Sequence, residues 1–394
     1  MKFLRVLGRL ALMLVVLVLA GGAGAWFWAR PALPEAFFRS VTVPGAPGQL
    51  LAVEPYSRDV PDGARAWLIL YSTTRIDGSP AVASAVVMAG ENSTGTLRSI
   101  AWAHGTTGIV PGCAPSVFAP FANVPALDEM LAAGWAYVAT DYVGLGTEGG
   151  HAYLIGDDAA RAVLDSLRAA RQMDEVDIAP QAVVWGHSQG GHSALWTGMR
   201  AADYAPELDI RGVAGLAPAS AMPELIETAK GELFGKVVSS YVMKSYSMFY
   251  DDVRVEDYVA WPQTWLANDM AGRCAGGMET VVSLAEAMLL PADGLFSTAP
   301  DEGPLGARVR QNVPNGPYAM PVFVGQGGDD ALVLPQVQAQ FARTLCDDGV
   351  AVTYRQYEGL DHLGLVAPGS ELTAALMDWT RARFDGTAAA GCSW

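Results

Sequence analysis

The stretch Gln181–His192, QAVVWGHSQGGH, constrains this chain more than any other. The run 182–185 is short and apolar and predicts a buried strand, and the residues from Ser193 onward predict a helix. Between them lies Gly186-His187-Ser188-Gln189-Gly190, a G-x-S-x-G pentapeptide. A serine in that setting sits on a sharp turn from strand to helix, with the free N–H groups of the helix start beside its hydroxyl. Glycines at 186 and 190 let the chain pass close on either side, and Gly191 lets the helix pack tightly. The flanking strand and helix make the pattern specific, since the pentapeptide alone recurs by chance. The bland alternative is a glycine-rich turn around an unreactive serine.

A serine hydroxyl becomes a nucleophile when a base takes its proton, and the base needs an orienting acid. The chain has five histidines: His104, His151, His187, His192 and His362. His187 and His192 flank the turn, which projects Ser188 away from its own neighbours. His104 precedes a glycine loop and is expected to brace it. His151 precedes a long helix and stands as a minor candidate. His362, in Glu358-Gly-Leu-Asp-His-Leu-Gly364, lies on a loop after a late strand, a position suited to function. Gly327-Gly-Asp-Asp330 follows an earlier strand and offers two adjacent acids, Asp329 and Asp330, between which the residues alone do not choose. The order Ser188, Asp, His362 is the Ser…Asp…His order of α/β-hydrolases. Two donors are needed for a developing oxyanion. The backbone N–H of Gln189 is one, and the loop His104-Gly-Thr-Thr-Gly108 supplies the other, placed here at Thr106.

Strands are expected at 66–72 and 81–88, joined as a hairpin around Asp77-Gly78, and at 98–104, 134–140, 213–217, 321–325 and 350–357. Helices are expected at 126–133, 157–173, 336–345 and 372–384. Strands alternating with helices imply a mostly parallel sheet flanked by helices. The alternation stops from 222 to 315, where helices are expected at 224–230, 234–247, 255–265 and 278–289. This divides the chain into a core at 30–221, a helical cap insertion at 222–315, and a second core part at 316–394. Residues 31–60, rich in proline and glycine, read as a lead-in with little regular structure. The cap carries Tyr241, Met243, Met248, Phe249, Tyr250, Trp261 and Trp265, which line either an acyl pocket or the cap's own core.

Residues 1–29 read as a signal peptide or signal anchor. Lys2, Arg5 and Arg9 form a basic start, and Leu10 to Ala29 carries no charge. Ala23-Gly-Ala25 fits a cleavage site, while Trp26-Phe-Trp28 fits a membrane interface, so cleavage and retention both stay open. Either places the bulk of the chain outside the cytoplasm. A net charge of −16 and a pI of about 4.7 argue against nucleic acid or an anionic surface as a partner. Four cysteines without a C-x-x-C pair fit disulfides in an oxidising compartment and give no zinc site.

With these residues in place the chain resembles the secretory lipase family, the lipase A-type α/β-hydrolases. The resemblance rests on Ala103-His-Gly-Thr-Thr-Gly108, Cys113-Ala-Pro-Ser116, Thr140-Asp-Tyr-Val-Gly144, Gly186-His-Ser-Gln-Gly-Gly191, Gln326-Gly-Gly-Asp-Asp330 and Asp361-His362. It implies an α/β-hydrolase fold with an inserted helical cap and a serine esterase or lipase acting on small-molecule or lipid esters. It also implies the acid at Asp330 and disulfides Cys113–Cys274 and Cys346–Cys392. No metal or cofactor is implied. The rival readings are the same triad acting on another acyl group, as peptidase, thioesterase or acyltransferase, and a non-catalytic, membrane-anchored binding protein on a hydrolase scaffold.

Overall fold

The computed structural model describes residues 9, 12–13, 16, 21–22, 24–39, 41–42, 45–389 and 391–394. Most of the expected signal segment lies outside the described residues. Among the described residues no helix is long and apolar enough to cross a membrane.

Nine strands form one sheet in the order β1-β2-β3-β5-β4-β6-β7-β8-β9. They are β1 (Leu50–Tyr56), β2 (Ala64–Thr74), β3 (Pro80–Gly90), β4 (Leu97–Ala103), β5 (Ala136–Thr140), β6 (Ile178–His187), β7 (Asp209–Leu216), β8 (Val322–Gly327) and β9 (Val352–Tyr357). From β5 to β9 every neighbouring pair is parallel, and β1, β2 and β3 form an antiparallel meander joined antiparallel to β5. The expected mostly parallel sheet is observed, and so is the β2–β3 hairpin. Its central strands are apolar at nearly every position because both faces are covered. In β6, Ala182 and Val184 face the helices Gly156–Ala170 and Gln189–Tyr204, while Val183 and Trp185 face the helix Leu372–Phe384.

The strand order fixes where a site can form. The chain leaves β4 toward β5 on one side, and leaves β6 toward β7 on the other. Adjacent strands whose connections diverge open a crevice at their carboxyl ends. Here that crevice lies between the loop after Ala103 and the turn after His187.

Between β7 and β8 the chain runs through six helices: Met222–Ala229, Leu233–Phe249, Val255–Tyr258, Gln263–Ala271, Gly277–Ala287 and Gly303–Gln311. Both disulfides form as the resemblance implied. Cys113–Cys274 ties the loop after β4 to this insertion, and Cys346–Cys392 ties the Pro335–Asp347 helix to the tail.

Three expectations are corrected. Residues 31–60 are not wholly irregular, because β1 adds an edge strand there; its half-buried residues show no alternation, and Pro55 is tolerated at an edge. The helix expected at 255–265 is two helices, separated at Pro262. The helix Gly303–Gln311 went unseen behind Gly303, Pro304 and Gly306, although proline suits a first turn.

Candidate active site

The turn after β6 forces Ser188 to φ 57° and ψ −119°, a strained conformation for a residue with a side chain. Surrounding contacts hold it there. The Ser188 N–H donates to Leu216 O at 2.9 Å, and its carbonyl accepts from the His192 and Ala219 amides, each at 3.1 Å. The glycines are steric necessities. A Cβ on Gly190 would lie 1.9 Å from Ala103 O, and one on Gly186 would lie 2.0 Å from Gly190 O. The loop after β4 lies in van der Waals contact with the turn: a Cβ on Gly105 would stand 3.2 Å from His187 O and 3.7 Å from Ser188 Cβ. Ser188 precedes the helix Gln189–Tyr204, whose first N–H groups have no partner within the helix.

His362 Nδ1–H donates to Asp330 Oδ2 at 2.7 Å. Asp330 is buried, and its other oxygen accepts from the Leu332 and Val333 amides at 2.9 and 2.8 Å. Burial pushes the Asp330 carboxyl up, but the His362 hydrogen bond and charge and the two amides outweigh it, and its pKa lies below the usual aspartate value. Asp329, which the residues alone did not distinguish from it, is exposed. Asp361 is also exposed and accepts from the Gly364 amide.

The other four histidines are buried and engaged. His104 Nδ1 meets Gly105 O at 2.7 Å, bracing the glycine loop as expected. His151 Nδ1–H donates to Val143 O, and its Nε2 accepts from the Gln189 side-chain amide at 2.9 Å. His192 Nε2–H donates to Asn312 O at 2.7 Å; the same carbonyl accepts from Trp196, so the helix Gln189–Tyr204 is pinned to the end of the insertion. His187 has a role that sequence reasoning missed. Its Nε2–H donates to the backbone carbonyl of His362 at 2.9 Å, and the two rings lie 4.6 Å apart. The residue before the serine thus holds the loop that carries His362. No spacing signals this, because the two residues are 175 positions apart.

Burial lowers the pKa of His104 and His192 to about 4 and of His151 and His187 to about 3; the neighbouring charges of His104 on His151 and His362 on His187 add to it. In each case the folded value lies below the unfolded one of about 6.5. Stability from these neutral rings is present above that pH and drains as pH falls toward 4. Each contributes about 1.4 kcal/mol per pH unit in that window. Asp141 opposes them: burial raises it to about 6, so it favours the folded state as it protonates. Burial also raises Asp158 and Asp165. Glu286, raised to about 7, and Glu279 and Glu54, raised by burial, act in the same sense as these acids. The four large downward histidine shifts outweigh them, and urea denaturation at pH 5 is expected to show a lower stability than at pH 7. Equal midpoints at the two pH values would mean these rings are not held neutral.

Ser188, Gln189, Thr106 and His362 line one cavity of about 270 Å³. Its roof comes from the insertion: Met222, Leu225 and Ile226 on one helix, and Phe234, Val238 and Val242 at i, i+4 and i+8 on the next. Of the seven insertion residues named from sequence as pocket or core, none lines the cavity. Tyr241, Met243 and Tyr250 are buried in the insertion's own core with Phe249 packed against it, and Met248, Trp261 and Trp265 are exposed. Thr106 donates to or accepts from Tyr153 OH at 2.7 Å, and Thr107 O accepts from the Ala275 amide at 2.8 Å, so the glycine loop is fastened to the insertion.

A family model described as secretory lipase matches residues 121–256. A protein of Mycobacterium tuberculosis (strain CDC 1551 / Oshkosh) named "Probable inactive lipase" is 29% identical over 168 residues, covering 39% of this chain and 36% of its own length. Lipase A of Moesziomyces aphidis is 33% identical over 98 residues, covering 24% of this chain and 21% of its own. The matched stretches thus span between about a fifth and a third of those relatives. Among solved structures, Candida antarctica lipase A in its closed state superposes with a TM-score of 0.71 at 18% identity, over 90% of this chain and 86% of its own. The rice cell wall degrading esterase LipA from Xanthomonas oryzae gives 0.67 at 19% identity, over 87% and 98%. The chain has the α/β-hydrolase fold of these lipases and esterases, and it resembles the secretory lipase family, whose model its residues 121–256 match.

Proposed function

We propose that this chain is a serine carboxylic-ester hydrolase acting on apolar, lipid-like esters outside the cytoplasm. The observation that carries this reading is the 2.7 Å bond from His362 to the buried Asp330, with His362 and Ser188 lining the same cavity. The Ser188 hydroxyl attacks the ester carbonyl as His362 Nε2 takes its proton. Asp330 keeps the other ring nitrogen protonated and stabilises the imidazolium that results. The amides of Gln189 and Thr106 hold the oxyanion, each worth about 3–4 kcal/mol when lost. The imidazolium then protonates the departing alcohol. Water hydrolyses the acyl-serine by the same route in reverse. The helices at 222–315 act as the cap over the acyl group, with Leu225, Ile226, Phe234, Val238 and Val242 receiving its chain. The secretory lipase match and two disulfides support an oxidising, extracytoplasmic setting.

The test is hydrolysis of nitrophenyl esters from acetate to palmitate. The apolar roof predicts turnover that rises from acetate into the longer chains. A steady fall from acetate onward would remove the roof from substrate recognition. No turnover of any ester by the folded protein would return the reading to another acyl group or to a non-catalytic relative.

A further inference from the structure

The end of the apolar leader is built into the insertion. The Trp26 indole N–H points at Asp269 Oδ2 and Glu286 Oε1, at 2.9 and 3.0 Å. Asp269 belongs to the helix Gln263–Ala271 and Glu286 to Gly277–Ala287, so one side chain bridges both. Arg273 is fully buried beside them. It binds Asp269 at 2.7 Å, donates to the Ala29 carbonyl, and lies 5.4 Å from the Trp26 ring. Arg30 adds a second ion pair to Asp269. A buried arginine and two carboxylates thus form a receptor for Trp26–Arg30. The chain then passes Gly112, where an added Cβ would meet Ala32 O at 2.1 Å.

Around this clasp the surface is apolar. Phe27 and Trp28 are exposed on the segment. Trp265 is exposed and stacks on Trp26 at 6.4 Å, and Trp261, in the turn just before that helix, is 87% exposed. On the neighbouring helix, Met278, Val281 and Ala285, with Met288 at its C-cap, recur at spacings of three and four, all exposed, and Leu289 follows in the turn. This stripe carries no charge.

We propose that this face is a membrane-docking surface whose occupant is the lipid bilayer from which the leader emerges. The continuity of the chain argues for that occupant. The uncharged run from Leu10 reaches Ala29 without a break, and its last residues are the clasped ones, so a retained leader draws this face to the lipid. The residues also have the right chemistry: tryptophan and phenylalanine suit the headgroup boundary, and methionine, valine and leucine suit the acyl layer below. With a net charge of −16 the bulk of the protein is not drawn to an anionic surface, so this face relies on burying apolar area. Docking deepens the proposed function and rests on it: the insertion that roofs the cavity is held against the lipid, and the substrate is an ester drawn from the bilayer.

The test uses the full chain in phosphatidylcholine vesicles with ordinary or dibrominated acyl chains, in wild type and in Trp261→Ser and Val281→Ser/Met288→Ser variants. Brominated lipid is expected to quench wild-type tryptophan fluorescence, and Trp261→Ser is expected to lose part of that quenching. Hydrolysis of a long-chain ester embedded in the vesicle is expected to fall about tenfold in both variants, while soluble nitrophenyl acetate turnover changes less than twofold. Quenching equal in wild type and Trp261→Ser would overturn the proposal, as would embedded-ester rates unchanged in both variants. A dimer in sedimentation that the same substitutions dissociate would assign the face to a second copy instead. If the wild type hydrolyses neither ester, the proposed function fails, and the quenching comparison still decides docking.

Discussion

Ser188→Ala is expected to lower ester hydrolysis on the order of 10⁶-fold while leaving the fold unchanged. The size follows from the mechanism. Without the hydroxyl no acyl-serine forms, and the oxyanion donors and the binding cavity retain only the residual rate they give to attack by water. The fold should persist because alanine keeps the Cβ, and with it the φ of 57° that the backbone contacts to Leu216, His192 and Ala219 impose. The measurement is nitrophenyl ester turnover paired with the melting transition. A variant with wild-type turnover would remove Ser188 from the chemistry. A variant that lost activity and its cooperative transition together would make the strained turn the cause.

Asp330→Asn is the second large effect, expected at about 10⁴-fold in kcat. Its carboxylate accepts from His362 Nδ1–H on one oxygen and from two amides through the other. An asparagine presents either a carbonyl or an NH₂ at each place. With the carbonyl toward the amides, the NH₂ faces Nδ1 and favours the tautomer that carries its proton on Nε2, which cannot accept from Ser188. Asp329→Asn, one residue away but exposed, is expected to change the rate less than twofold. The pair makes a clean comparison because the two positions share a loop and a chemistry and differ in burial and partner. The reverse ranking would move the acid to Asp329. Because the Asp330 pKa is depressed, its carboxylate stays ionised below the usual aspartate range, so it does not set the acid limit of activity.

The parts of this molecule that could be read from sequence are those where local chemistry and tertiary structure agree. The elbow was legible because Gly186, Ser188 and Gly190 answer one steric demand inside ten residues. The central strands were legible because burial on both faces makes them continuous apolar runs. The β1 edge strand was not, since a half-exposed strand with Pro55 carries neither alternation nor an apolar run. The partner of His362 was half legible: the residues offered Asp329 and Asp330 and only the family resemblance pointed to Asp330, because the two differ in which way the loop turns, and that is decided by Gln326, Val333 and His362 together. The cavity roof was not legible. Large aromatics drew attention to Tyr241 and Tyr250, yet the side of the Leu233–Phe249 helix turned to the cavity is that of Phe234, Val238 and Val242. Periodicity identifies an apolar side of a helix, not whether a neighbouring helix or an open cavity lies against it. The His187 bond to the His362 carbonyl had no sequence signal, because it joins a strand end to a distant loop through a backbone atom.

The central claim is that Ser188 is an activated nucleophile. A labelled fluorophosphonate reacts covalently with such serines and leaves ordinary ones alone, and peptide mass spectrometry locates the adduct. The full-length protein is predicted to take one label, on the peptide carrying Gly186-His-Ser-Gln-Gly-Gly191, and Ser188→Ala is predicted to take none. Folded protein that stays unlabelled, or that carries its label on another serine, would contradict the account.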